Sequence, residues 1–188
     1  NLVASTAGRS MTMLDPDTYA SAKSYETAKL AVGGTLVAVD KVMSGEVDIA
    51  FAFILPPGHH AETNRAMGFC LFNNVAVAAR LAIDVLGLDR VLIVDWDIHH
   101  GNGTQAGFWE EPRVGFLSIH RWPFYPGTGA ADERGEGKGV GYTLNAPLPA
   151  GSGDTDYRKV FEEKLRRAWP TRHCLTMRPW PSGQALLR

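Results

Sequence analysis

The chain has 188 residues, 45% of them hydrophobic, and a formal net charge of −1. That bounds it to one domain with a real core and argues against nucleic acid or an anionic membrane surface as a general partner. Cys70 and Cys174 are its only cysteines, too few for a disulfide framework and suited to a reducing cytoplasm. No apolar run reaches the ~18 residues of a membrane span, and no signal-peptide pattern opens the chain. Its first residue is Asn1, so the reading frame is expected to begin further upstream.

Asn1 to Pro16 reads as a loop, with Asp15-Pro16-Asp17-Thr18 as a helix-entry signal. A helix is predicted from Thr18 to about Met43, weakened at Gly33-Gly34, where another element can approach closely. Asp48 to Leu55 is a short apolar run that predicts a strand, stopped by Pro56-Pro57-Gly58. That triplet stiffens and then bends the chain, presenting His59 and His60. Phe72 to Leu86 predicts an alanine- and valine-rich helix ended by Gly87.

Arg90 to Asp95 predicts a strand buried on both faces, as in parallel sheets. It runs into Trp96-Asp97-Ile98-His99-His100-Gly101-Asn102-Gly103-Thr104. In an open α/β sheet, ligands bind beyond the carboxyl ends of such strands. While the chain stays extended, Asp95, Asp97 and His99 point to one side. Two carboxylates and an imidazole crowded together repel unless a cation or proton separates them, and this donor set suits zinc. The plainer alternative is a strand end carrying solvated polar residues.

A short helix is predicted from Thr104 to Trp109, and a further buried strand from Val114 to Ile119, followed by His120. Strand, helix, strand, helix, strand is the grammar of a parallel α/β sheet. Arg121 to Gly141 is a long loop, and loops of that length in compact domains are usually functional. Its Gly135-Glu136-Gly137-Lys138-Gly139 lacks the spacing of a phosphate loop and reads as a solvated turn. Tyr142 to Asn145 predicts a short strand and Asp154 to Ala168 a helix. After Arg166 the pattern breaks: Pro170, Pro179 and Pro181 stand where a sheet should continue. Residues 166–188 therefore read as an atypical tail, as a frameshift or truncation would leave.

Four motifs stand in a set order: Pro56-Pro57-Gly58-His59-His60-Ala61-Glu62, Met67-Gly68-Phe69-Cys70-Leu71-Phe72-Asn73-Asn74, Asp95-Trp96-Asp97-Ile98-His99-His100-Gly101-Asn102-Gly103, and Phe124-Tyr125-Pro126-Gly127-Thr128-Gly129. Together they resemble the histone deacetylase superfamily, closer to its class II and bacterial amidohydrolase-like members, acetylpolyamine amidohydrolases among them. Leu55 departs from the arginine common there. The resemblance implies an α/β, arginase/deacetylase-like three-layer fold with a central parallel sheet. Residues 1–165 would supply the N-terminal to middle portion of that catalytic domain.

The resemblance also implies the site. Asp97 and His99 would be zinc ligands, His60 the general base and acid, and His59 its electrostatic partner. Asp95 would hold His59 and Asn102 would orient His60. Gly68, Phe69 and Tyr125 would line a substrate tunnel, and Asp95 and Ser118 would help hold a structural potassium ion. Cys70 reads simply as a small buried apolar residue. His120 reads as a loop-entry histidine more readily than as a substitute ligand. The family's third zinc ligand, in an aspartate–any–histidine motif, and its oxyanion-stabilising tyrosine have no counterpart after His99.

The function implied is zinc-dependent hydrolysis of the acetyl amide of acetyl-lysine in proteins, or of a related N-acetylated amine such as an acetylpolyamine. Two alternatives stand beside it. One is an inactive fragment or pseudoenzyme; the other is a two-metal ureohydrolase of the same fold. With only part of the sheet encoded, the last strand would expose an unpaired apolar edge, which predicts aggregation or pairing with another chain, a homo-oligomer among the outcomes.

Overall fold

The structure is a computed structural model that describes residues 2–165 and two short paired strands, Arg178–Pro179 and Ala185–Leu186. Apart from those strands, the tail expected from residue 166 lies outside the described residues.

Its centre is a parallel three-stranded sheet in the order β3-β4-β5, with β3 at Val91–Asp95, β4 at Val114–Arg121 and β5 at Thr143–Leu148. β4 is buried along its length up to Arg121, as its Val-Gly-Phe-Leu-Ser-Ile run requires for a strand covered on both faces. Alternation divides its apolar side chains. Val114 and Phe116 pack with Ile93, Phe108, Ala79 and Ile83 on one face. Leu117 and Ile119 pack with Ala146 and Val160 on the other.

Helices cover the two faces. α2 (Asn74–Asp84) brings Ala79 and Ile83 to the first, its start capped by Asn73, whose side chain accepts from Ala76 N at 3.0 Å. α4 (Asp154–Val160) brings Val160 to the second and runs into a π-helical turn, Phe161–Leu165. Asp154 and Asp156 in its first turn, with Arg158 and Lys159 in its last, complement the helix dipole. The order helix, sheet, helix is the three-layer arrangement expected. α1 (Ser24–Met43) packs on α2, and α3 (Asn102–Gly107) follows the β3 turn. Among the described residues, no helix is long and apolar enough to cross a membrane.

Three sequence expectations need correction. Asp15-Pro16-Asp17-Thr18 is no helix entry: it lies at the tip of a hairpin joining β1 (Thr12–Asp15) to β2 (Thr18–Ala20), and α1 begins at Ser24. A Pro-Asp pair serves a tight turn as readily as a helix start, and local sequence does not separate the two. The stretch before it is also not wholly loop, since Ala4–Thr6 forms a 3-10 turn.

The third correction concerns Asp48 to Leu55, which forms no strand. Its side chains do alternate, Phe51, Phe53 and Leu55 outward at 79%, 91% and 77% exposure, and Ile54 inward against Gly34. A strand needs a neighbour to bond, and among the described residues none flanks this segment. A groove of about 440 Å³ lies between it and the edge of β3 that no described strand pairs, lined by Ala52, Ile54, Ile93, Val94 and Asp95 among others.

Phe116 is 1% exposed at the centre of the α2-side cluster. Phe116→Ala is expected to cost about 3–5 kcal/mol, read as a lower urea midpoint with an unchanged slope.

Candidate active site

β3 ends at Asp95, and the chain then turns instead of staying extended. Asp95 Oδ1 accepts from Asp97 N at 3.1 Å, and Asp97 Oδ1 from His99 N at 2.8 Å. Carboxylates that capture the backbone two residues on are what bend the chain here. Asp95, Asp97 and His99 therefore do not form a single row. Asp95 reaches back to His59, whereas Asp97 Oδ1 lies 3.0 Å from His99 Nδ1.

The Pro-Pro-Gly bend is held against the start of α2. Asn74 Nδ2 donates to Pro56 O at 3.1 Å, and a Cβ on Gly58 would stand 2.6 Å from Asn74 N. His59 O in turn accepts from Gly103 N at 2.9 Å and Thr104 N at 3.2 Å at the start of α3. Both imidazoles then find partners through Nδ1: His59 lies 2.8 Å from Asp95 Oδ2, and His60 2.8 Å from Asn102 Oδ1. Gly101 permits the first contact, because a Cβ there would collide with Asp95 Oδ2.

These partners push the two histidines apart electrostatically. Burial disfavours a cation at His59, but hydrogen bonding and charge from Asp95 outweigh it and raise its pKa above the ordinary value. Burial and then the charge of His59, whose ring centroid is 4.0 Å away, lower that of His60. The cation is thus favoured at His59 and disfavoured at His60, the kind of division acid–base chemistry uses.

Aromatic rings gather beside them. Tyr125 stands edge-on to His60 at 5.1 Å and to His99 at 5.9 Å, and Phe124 stacks on His99 at 5.1 Å. Burial, then the Asp17 carboxylate to which its hydroxyl donates, push the Tyr125 phenol up to about 12. The hairpin tip also holds the next wall. Asp17 Oδ1 accepts from Gly68 N at 3.2 Å, and Thr18 Oγ1 from Phe69 N at 3.0 Å. Phe69 is the sole described non-glycine residue with a positive φ, at 64°, and its side chain is 67% exposed. A strained backbone with an exposed ring is more often a feature of function than of packing.

Sequence reasoning missed the layer beneath the aromatic loop. His100 is fully buried, with Nδ1 2.8 Å from Thr128 Oγ1 and Nε2 3.1 Å from Gln105 Oε1. His120 is no loop-entry residue: it is fully buried, 2.9 Å from both Ser118 Oγ and Gly129 O. Glu133 accepts from Gly129 N and Ala130 N at 3.0 Å, and from Gln105. A Cβ on Gly129 would stand 2.6 Å from both rings, so glycine is required for the loop to sit down on them. Burial, then the neighbouring His120, hold His100 at about 4. In the sequence, His100 and Gly127-Thr128-Gly129 stand in two separate motifs, and nothing in their spacing joins them.

Asp97 and His99 offer oxygen and nitrogen donors 3.0 Å apart. Two donors on one tetrahedral zinc, each at ~2.1 Å, would be about 3.4 Å apart. The pair fits two corners of such a site, although no group of three metal-binding side chains is assembled among the described residues. Ser118 pairs with Asp95 across the sheet and directs its hydroxyl to His120.

A histone deacetylase domain model matches residues 2–171. The chain belongs to the histone deacetylase family. Histone deacetylase 14, chloroplastic, of Arabidopsis thaliana is 50% identical over 151 residues, covering 78% of this chain and 36% of that protein. A probable deacetylase of Archaeoglobus fulgidus is 46% identical over 151 residues, covering 80% and 42%. The crystal structure of the HDA15 HD domain superposes with a TM-score of 0.84 at 45% identity, over 87% of this chain and 48% of that one. This family member therefore spans less than half the length of each of these three relatives.

Cys70 lies within the site's Gly-Phe-Cys motif, 0% exposed, its thiol donating to Gly68 O at 3.3 Å. Burial pushes its pKa up to about 11. At pH near 8 the folded protein is expected to leave Cys70 unalkylated by iodoacetamide and the unfolded protein to modify it. Mass spectrometry of the Cys70 peptide reads the difference.

Proposed function

We propose that this chain supplies the acid–base half of a zinc-dependent deacetylase. The substrate is acetyl-lysine in a protein or a related N-acetylated amine such as an acetylpolyamine. The observation that carries the reading is the pair of contacts His59–Asp95 and His60–Asn102 beside Asp97 and His99, with the His60 and His99 rings 5.9 Å apart.

In this reading Asp97 and His99 hold two positions on zinc, which when bound acidifies water and polarises the amide carbonyl. His60, kept neutral, takes a proton from the nucleophilic water and returns it to the leaving amine. His59, where Asp95 favours the cation, would stabilise negative charge developing nearby. Phe69 and Tyr125 flank the apolar lysine stem, with Gly68 leaving room beside His60, where a Cβ would collide with the ring. Asp95 and Ser118, side by side in the sheet, would help hold a structural potassium ion. A free, buried Cys70 fits a reducing compartment such as the cytoplasm.

Residues 1–188 contain no aspartate–any–histidine motif after His99 and no glycine-flanked counterpart of the oxyanion tyrosine. Loss of one oxyanion donor alone costs about 2.7–4 kcal/mol in comparable sites. The chain by itself is therefore expected to show almost no turnover of an acetyl-lysine peptide. Supplied with the remaining part of a relative's domain, it should gain activity that chelation and His60→Ala each abolish. Turnover by the chain alone that His60→Ala destroys would refute the division of labour. Arginine cleavage with manganese and indifference to hydroxamates would sink the deacetylase reading itself.

The exposed Phe51, Phe53 and Leu55, with a β3 edge unpaired among the described residues, favour association between copies of the chain. Size-exclusion chromatography is expected to show species larger than a monomer, shifted toward monomer by Phe53→Lys.

A further inference from the structure

Glu62 closes the Pro-Pro-Gly-His-His-Ala-Glu motif, half-buried in the loop after the two histidines. Its Oε1 accepts a hydrogen bond of 2.7 Å from Asn102 Nδ2. The same nitrogen faces two weaker acceptors, the His60 carbonyl at 3.4 Å and Met67 Sδ at 3.4 Å. A carboxylate, a carbonyl and a thioether can only accept. Reversing the amide would press its oxygen against all three, so chemistry alone settles which end of Asn102 lies there. The carbonyl end must then face His60 Nδ1, at 2.8 Å.

An amide oxygen cannot donate. His60 Nδ1 therefore carries a hydrogen, and in the neutral ring the lone pair is left on Nε2. Among the described residues no group hydrogen-bonds that nitrogen. We propose that Glu62 is a positioning residue: by fixing the orientation of the Asn102 amide, it sets His60 in the tautomer whose free lone pair is on Nε2. Its use in catalysis rests on the deacetylase reading; the tautomer itself does not. A charged acceptor suits the task, since charge-assisted hydrogen bonds are about twice as strong as neutral ones.

The test uses the metal-free 188-residue chain labelled with ¹⁵N-histidine, near pH 8, above the ordinary imidazole range. Long-range ¹H–¹⁵N spectra identify the protonated nitrogen, and His60 is assigned by its loss in His60→Gln. The wild type and Glu62→Gln, which keeps a carbonyl acceptor, should show hydrogen on Nδ1 alone. In Glu62→Leu that tautomer should fall measurably, as the amide keeps only the two 3.4 Å acceptors to hold its orientation. Adding Asn102→Asp to Glu62→Leu should restore it, because a carboxylate accepts from Nδ1 in either orientation.

A merely structural role for Glu62 would move thermal stability and leave the tautomer unchanged. If Glu62→Leu does not fold, Glu62→Ala carries the same comparison. Full Nδ1 protonation in a folded Glu62→Leu or Glu62→Ala protein overturns the proposal, as does a wild type protonated on Nε2. In a complemented, active domain, Glu62→Leu should lower kcat by about tenfold or more with KM unchanged. Absent turnover with the expected tautomers would count against the deacetylase reading alone.

Discussion

The 2.8 Å contact between His59 Nδ1 and Asp95 Oδ2 joins residues 36 positions apart, and the geometry of the site follows from it. One partner ends the buried edge strand of a parallel sheet; the other sits on a proline-stiffened bend braced against α2. Asp95 has a second anchor in Asp97 N, whereas among the described residues Asp95 is the one hydrogen-bond partner of the His59 ring. Their pairing draws α3 close enough for its first amides to hold the His59 carbonyl, which in turn brings Asn102 to His60. Gly101 is the steric condition for all of it.

Burial disfavours the cation at both rings; the Asp95 carboxylate outweighs it at His59, and the Asn102 amide does not at His60. His59 and His60 are neighbours in the chain with rings 4.0 Å apart, yet they shift in opposite directions. A carboxylate faces one and a neutral amide the other. The amide passes on no charge, but it transmits an orientation, which is why a glutamate that does not touch the His60 ring can still matter to it. Beneath them, His100, His120, Gln105 and Glu133 form a buried polar layer that seats the aromatic loop. Partnered groups of this kind specify one arrangement where an apolar layer would tolerate several.

Much of the α/β architecture was legible from apolar runs and their punctuation, and β3, β4 and α2 fall close to where periodicity puts them. The failures share a cause. Asp15-Pro16-Asp17-Thr18 became a hairpin tip because the same residues favour both a turn and a helix entry. Asp48 to Leu55 has a strand's alternation without being one, because pairing is a property of neighbours and the described chain provides none. His120 was misread because whether a residue at a strand's end is covered depends on a loop that returns nine residues later.

The sequence by itself determined the family, the parallel strands and the identity of the chemically able side chains. Local patterning and motif order carry that information, since each depends on residues close together in the chain. Only the tertiary structure decided which histidine meets a carboxylate, which meets an amide, and which way that amide points. Those are contacts across 36 to 42 residues. Their electrostatic consequences fall off within a few ångströms, a distance that linear spacing does not record.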